Sequence, residues 1–356
     1  MRPKDPFIGR EILGGEYQVL EKIGTGGMGS VYKASQPAMN RMVAIKILHP
    51  KLANRKDLTS RFRREARAMS QLSHPNTVKV FVYGEMEDDG SLYIVMEMLE
   101  GRNLNQTVRK DGPIPIERAI PILIQVCGAL QEAHDLGIVH RDLKPENIFL
   151  SRQGGINDYP KVLDFGLAKV TERQMQPGSI ILTQEGMVFG TPEFMSPEQA
   201  QGKTLDARSD IYSLAVILYE VLTGKLPFTA KTPMEYIQKH VTEPIIPLSE
   251  RVADKHFPKE LDEVMARALS KKPEHRFQTA AEFAEALRPF GGAAAQALPP
   301  LRADRPGASL AASSAKPDKS EAGKTASGSG LLIGVAALCL VAGVLLAVVV
   351  MRLLGR

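Results

Sequence analysis

With 356 residues, 45 basic against 40 acidic side chains and a net charge of +5, the chain can bury a substantial core, and it is too evenly charged to offer a nucleic-acid surface. Its two cysteines, Cys127 and Cys339, argue against a disulfide framework or a cysteine metal site and suit a reducing compartment. The opening MRPKDPFIGREILGG lacks the apolar run of a secretory signal, so the bulk of the protein is expected to stay in the cytosol.

Residues 1–16 read as an N-terminal extension. From Tyr17 to about Leu48, short alternating apolar segments separated by Gly predict strands. IGTGGMGSV, Ile23 to Val31, spaces Gly24, Gly26 and Gly29 as G-x-G-x-x-G, which by itself fits a hairpin turn or a dinucleotide fold as well as a phosphate loop. In MVAIKIL the period of two puts Ala44 and Lys46 on one face and Val43, Ile45 and Ile47 on the other, so an ammonium group stands near that loop. RFRREARAMSQL predicts a helix with Phe62, Ala66 and Met69 facing inward. Glu65 flanks that stripe, either as a surface partner of Arg61 or as an inward carboxylate able to hold Lys46. LYIVMEMLEG is a strand running into Gly101.

From about Ile116 onward helices dominate. VHRDLKPENIF, Val139 to Phe149, packs Arg141, Asp142, Lys144 and Asn147 into seven residues. It is too polar and Pro-broken for a helix, yet apolar residues bound it at both ends, which marks a pinned loop suited to catalysis. KVLDFGLAK ends a strand at Asp164, and GTPEFMSPEQA follows from residue 190. SLAVILYEVL, Ser213 to Leu222, is apolar on nearly every side and predicts a helix at the centre of a lobe. Thr279 with Glu282 predicts a capping box ahead of Phe283, Ala286 and Leu287.

This ordered set of motifs resembles the eukaryotic-like serine/threonine protein kinases, over roughly Tyr17 to Phe290. The resemblance implies an α+β, two-lobed fold: a small β-rich N-lobe with one key helix (17–96), a hinge (97–101) and a large helical C-lobe (102–290). It also implies transfer of the ATP γ-phosphate to Ser or Thr of protein substrates, with ATP and Mg2+ as cofactors. Ile23, Gly24, Thr25, Gly26, Gly27, Met28 and Gly29 would cover the phosphates, and Lys46, held by Glu65, would bind two of them. Asn147 and Asp164 would hold magnesium, Asp142 would take or orient the hydroxyl proton, and Lys144 would steady the γ-phosphate, with Thr191 bonded to both. Met96 would stand as gatekeeper. The backbone of Glu97 and Leu99 would bond the adenine edge, sandwiched by Val31, Ala44 and Phe149. Glu198 would pair with Arg276, and Asp210 would hold the catalytic-loop backbone.

Control is expected between Asp164 and Glu198, where Thr183, Ser179 and Thr171 are candidate phosphosites and Arg141, joined by Lys169, attracts the phosphate. Glu185 occupies the place of a second threonine in related bacterial kinases and would supply part of that charge permanently. A membrane-tethered pseudokinase scaffold is the alternative reading, and a small-molecule kinase a further one. The complete set Lys46, Glu65, Asp142, Asn147 and Asp164 argues against the first, and GTPEF with Ser196-Pro197-Glu198 against the second.

Residues 291–330, rich in Ala, Gly, Ser and Pro, read as a disordered linker with a coil dimension of about 35 Å. LLIGVAALCLVAGVLLAVVVM, residues 331–351, is an unbroken apolar run about 32 Å long as a helix, and it predicts a single-pass transmembrane helix followed by a short tail, 352–356. The expected arrangement is a cell-membrane anchor without an external sensor domain and a cytoplasmic kinase domain. Tethering, helped by Gly343 and Ala347, would favour a transient homodimer phosphorylating in trans. Protein substrates and the membrane are the expected partners, with no nucleic acid.

Overall fold

The alternation read in the first strands sorts side chains onto two faces of one sheet. In a computed structural model that describes residues 5–26, 29–48, 62–63, 66–67, 69–86, 88–165 and 191–301, the N-terminal part is a six-stranded antiparallel sheet. Its strands are β1 (Glu11–Ile12), β2 (Tyr17–Gly26), β3 (Gly29–Gln36), β4 (Arg41–Leu48), β5 (Val80–Glu85) and β6 (Leu92–Glu97), in the order β1-β2-β3-β4-β6-β5. Val43, Ile45 and Ile47 of β4 join Tyr17, Val19 and Tyr32 in one core on a single side of the sheet. Ala44 and Lys46 are also buried but belong to the opposite face, as the period of two requires. Phe62, Ala66 and Met69 lie in the larger core with Leu92 and Ile94, which fits the inward stripe read for their helix.

Residues before Tyr17 are part of the sheet rather than a mere extension. Ile12 pairs with Tyr17 and is buried. Asp5 pairs with Lys22 at 2.6 Å and accepts a hydrogen bond from the Tyr32 hydroxyl at 3.2 Å, while the Phe7 ring packs 5.5 Å from that of Tyr32.

A second, three-stranded sheet holds β7 (Gly101–Asn103), β8 (Ile148–Gln153) and β9 (Ile156–Val162). The helices are α1 (Leu104–Asp111), α2 (Ile116–Asp135), α3 (Pro197–Ala200), α4 (Ala207–Thr223), α5 (Pro233–Thr242), α6 (Leu248–Arg251), α7 (Lys259–Ala268), α8 (Ala280–Leu287) and α9 (Gly292–Gln296). Helix α4 is the centre of this lobe, buried from Ser209 to Tyr219 without a break. Each of its fully buried Leu, Ile and Val side chains contributes about 1.5–3 kcal/mol relative to exposure. Asp206 caps its start by accepting from the Arg208 amide, and Gly224, at φ +71°, ends it in a conformation costly for other residues. At α8, Thr279 accepts from the Glu282 amide as expected. The Glu282 carboxylate takes the amide of Gln278 rather than that of Thr279, so the reciprocal arm is shifted by one residue.

One boundary differs from the sequence reading. Residues 291–301, expected to begin a disordered linker, are folded onto the core: Ala295 is fully buried and Leu298 and Leu301 pack beside it. The reason is local chemistry. Arg288 donates to the carbonyls of Ala295, Leu298 and Pro299 at 2.6, 2.9 and 3.1 Å; the first also accepts from the Leu298 amide, and the other two gain the donor that a Pro-Pro step cannot supply. Among the described residues no helix is long and apolar enough to cross a membrane, and the run 331–351 lies outside them.

Candidate active site

Lys46 leaves β4 beside the hairpin of the glycine loop. Gly24 pairs with Val31 and Gly26 with Gly29 across β2 and β3. Of these glycines, Gly29 is the one sterically required, because a Cβ there would collide with the Ile47 carbonyl of β4. Gly27 and Met28 lie outside the described residues, as do Glu65, Thr171, Ser179 and Thr183. Among the described residues, the carboxylate that meets Lys46 is Asp164: Nζ stands 2.7 Å from Oδ1 across 118 residues of chain. Burial works against the charge on Asp164, but the Lys46 ammonium outweighs it and holds the carboxyl below its usual range.

The loop Val139 to Phe149 brings the other expected groups together. Lys144 Nζ lies 2.8 Å from Asp142 Oδ2 and 3.4 Å from Thr191 Oγ1, so Thr191 is joined to Asp142 through Lys144 rather than directly. Asn147 Nδ2 donates to the Asp142 carbonyl at 2.7 Å, which leaves its Oδ1 as the remaining acceptor of that side chain. The backbone of this loop is held at Asp210, on α4. Its carboxylate accepts from the amides of His140 and Arg141 at 2.8 and 2.9 Å and lies 2.8 Å from His134 Nε2. Burial opposes ionisation there, and His134 and the Arg141 amide overcome it, keeping the carboxyl depressed. These bonds hold Arg141 at φ +69°, and Asp164 stands at φ +56°; each such position costs about 1–3 kcal/mol for a residue with a Cβ.

Several supporting residues escaped the sequence reading. His140, fully buried, sets Nε2 2.8 Å from the carbonyl of Leu163 and packs 4.9 Å from the Phe165 ring, so it braces both neighbours of Asp164. Gln199 donates to the Arg141 carbonyl. Glu97, expected to act through its backbone, also uses its side chain: it takes the Lys79 amide at 2.8 Å and the buried Lys161 ammonium of β9 at 2.7 Å, fixing the hinge to the second sheet. Nothing in the sequence singles these out except the polar character of Lys161 in an otherwise apolar strand end. Of the other residues expected around the base, Ala44 is buried, and Val31, Met96, Leu99 and Phe149 are half-buried; Val31 pairs with Lys46 and Ala44 with Met96 in the sheet register. Ile23 and Thr25 lie on β2, and Ile23 is exposed.

Such an arrangement suits phosphoryl transfer, which needs positioning and charge neutralisation more than covalent help. Among the described residues no group of three or more His, Cys, Asp or Glu forms a metal cage. A carboxylate at Asp164 and an amide oxygen at Asn147 nevertheless match the few protein oxygens that magnesium takes when phosphates and water complete its shell. Magnesium, when bound, neutralises phosphate charge; Lys46 would hold phosphate oxygens, and Asp142 would orient the hydroxyl and receive its proton.

Residues 17–287 match the family model described as protein kinase domain. The chain is 41% identical over 284 residues to the serine/threonine-protein kinase pkn3 of Myxococcus xanthus, covering 80% of this chain and 51% of that protein. It is 43% identical over 288 residues to the serine/threonine-protein kinase PknB of Mycolicibacterium smegmatis, covering 80% and 44%. The chain therefore spans about half the length of the curated relatives it matches. Among solved structures, the PknI kinase domain of Mycobacterium tuberculosis aligns with a TM-score of 0.59 at 27% identity, covering 79% of this chain and 98% of that one.

Proposed function

The chain belongs to the protein kinase family, in its bacterial, eukaryotic-like serine/threonine branch, and from that membership we propose that it transfers the γ-phosphate of Mg-ATP to Ser or Thr hydroxyls of proteins. The observation that carries this reading is the meeting of Lys46 with Asp164 above a single loop that presents Asp142, Lys144 and Asn147 together. Radiolabel transfer to a generic basic protein tests it. The parent should label the acceptor only with Mg2+ present, and Asp142→Asn should lower the rate by about 10²–10⁴ while ATP still binds. Equal labelling by the two proteins would refute the assignment.

The proposal extends to location and control. Residues 331–351 anchor the protein in the cell membrane with the kinase domain in the cytoplasm; the support is the length and apolarity of that run. Autophosphorylation in the segment between Asp164 and Glu198, with Thr183 ahead of Ser179 and Thr171, orders the substrate side, and tethering favours a transient homodimer for transfer in trans. Fractionation of cells expressing the chain with and without residues 331–351, followed by phosphopeptide mapping, checks both parts.

A further inference from the structure

The turn Pro192–Phe194, which leads Thr191 to Lys144, is gripped at two consecutive carbonyls. Ser213 Oγ, on α4, donates to the Phe194 carbonyl at 2.7 Å. His240 Nε2, on α5, lies 3.0 Å from the Glu193 carbonyl. A carbonyl can only accept, so Nε2 carries a proton. Nδ1 faces the Tyr212 hydroxyl of α4 at 2.9 Å. Burial pushes the His240 imidazole down to about 4, so the ring is neutral near pH 7. Nδ1 is then an acceptor, and the Tyr212 O–H donates to it and fixes the tautomer. The ring is fully buried, with the Phe228 and Tyr212 rings edge-on at 5.0 and 5.6 Å. None of Lys46, Asn147 or Asp164 shares a hydrogen bond with this relay.

We propose that His240 is a positioning residue for the protein acceptor: its Nε2–H anchors the Glu193 carbonyl and, through the turn, keeps Thr191 Oγ1 beside Lys144 and Asp142. The inference rests on the kinase reading above and deepens it. A bulky apolar side chain at this position could fill the same space, but it would leave the Glu193 carbonyl without its donor. The turn would then loosen on the side where the acceptor hydroxyl must be presented, while the phosphate-binding side keeps its own contacts.

The test compares full-length parent, His240→Gln, whose amide can place an N–H near the Nε2 position, and His240→Phe, which keeps a ring and loses the donor. In His240→Phe the KM for a generic basic protein should rise about tenfold with the ATP KM within about twofold, and amides of residues 194–196 should exchange with deuterium about tenfold faster. His240→Gln should bring both readouts back to within about threefold of the parent. Tyr212→Phe, which removes only the tautomer lock, should fall between the two, and it supplies the comparison if His240→Phe does not fold. An unchanged protein KM and exchange rate in His240→Phe, a His240→Gln as impaired as His240→Phe, or parallel loss on the ATP and protein sides would each overturn the proposal. A parent that binds ATP yet labels no protein would defeat the kinase reading instead, and the exchange rates at 194–196 would still decide the role of His240.

Discussion

Arg276 meets Glu198 through two parallel N–H···O bonds of 2.7 and 2.8 Å across 78 residues of chain. The guanidinium has no exposure and the carboxylate 7%. Its remaining donors reach the carbonyls of Arg208, Ser270 and Lys271, and Ser209 Oγ donates to Glu198, so the pair is satisfied on every side. Satisfaction decides what its removal does, because breaking one partner strands the other charge in the core. Arg276→Met should therefore cost about 3–5 kcal/mol in urea unfolding, and adding Glu198→Leu should restore much of it.

The same pair gives a pH signature. Burial alone would raise the Glu198 carboxyl, but Arg276 outweighs it and holds the group below its ordinary 4.5. A depressed carboxylate contributes stability above its unfolded value and loses it as pH falls through the folded one. The parent should thus lose stability from about pH 4.5 downward more steeply than the Arg276→Met, Glu198→Leu double variant, as read by melting temperature against pH. Parallel curves would contradict the assignment.

Lys46 and Asp164 form an ion pair in which the ammonium is buried and the carboxylate keeps 35% exposure, so an amide in place of the carboxylate would still offer the ammonium an acceptor but no longer an anionic ligand for a metal. Asp164→Asn should leave the melting temperature within a few degrees of the parent. It should also raise the Mg2+ concentration needed for half-maximal phosphate transfer by about tenfold or more, because an anionic oxygen is replaced by a neutral one. A magnesium titration of both proteins separates this from a simple folding defect.

The parts of the site that lie close together along the chain are legible from the residues alone: Asp142, Lys144 and Asn147 occupy one loop, and the alternation in MVAIKIL assigns Lys46 its face. Asp210 opens a largely apolar helix, and its hold on the catalytic-loop backbone is legible only through the family resemblance. His240 is not legible. A single histidine in an amphipathic helix looks the same whether it packs or donates, and only the facing Glu193 carbonyl decides. The segment after residue 290 misleads because its Ala and Pro content outweighs a real signal, the spacing of three that puts Ala295, Leu298 and Leu301 against one surface. Composition reports whether a segment can fold alone, whereas here an arginine outside the segment, Arg288, supplies its missing donors.

Gly128 lies in the middle of α2, where Ala would ordinarily stabilise a helix by about 0.5–1 kcal/mol. Here a Cβ would stand 2.7 Å from His74 Nε2 and 3.3 Å from Leu301 Cδ2. His74 cannot easily yield, since its Nδ1 accepts from the Asn76 amide and its own amide is held by Glu132 of the same helix. Overpacking should win: Gly128→Ala should destabilise by about 1–3 kcal/mol. Hydrogen exchange should show the loss at residues 73–76 and 295–301 before the rest of the lobe. A stabilised variant would mean that His74 and Leu301 both yield to the added methyl group.

Glu220 is the second carboxyl of α4, half-buried next to the buried Tyr219, Val221 and Leu222. Burial first, then the charges of Glu146 and Glu193, push it up from 4.5 to about 7, and Arg109 offsets this only in part. Because the folded value lies above the unfolded one, its protonated form favours the native state below pH 4.5, and that advantage drains away as pH rises through about 7. Glu220→Gln keeps the shape and removes the titration. It should therefore melt higher than the parent at pH 8 and at nearly the same temperature at pH 4.5, with the difference opening between those limits. A gap that stays constant across the range would show that the side chain has found a cationic partner and carries its charge without strain.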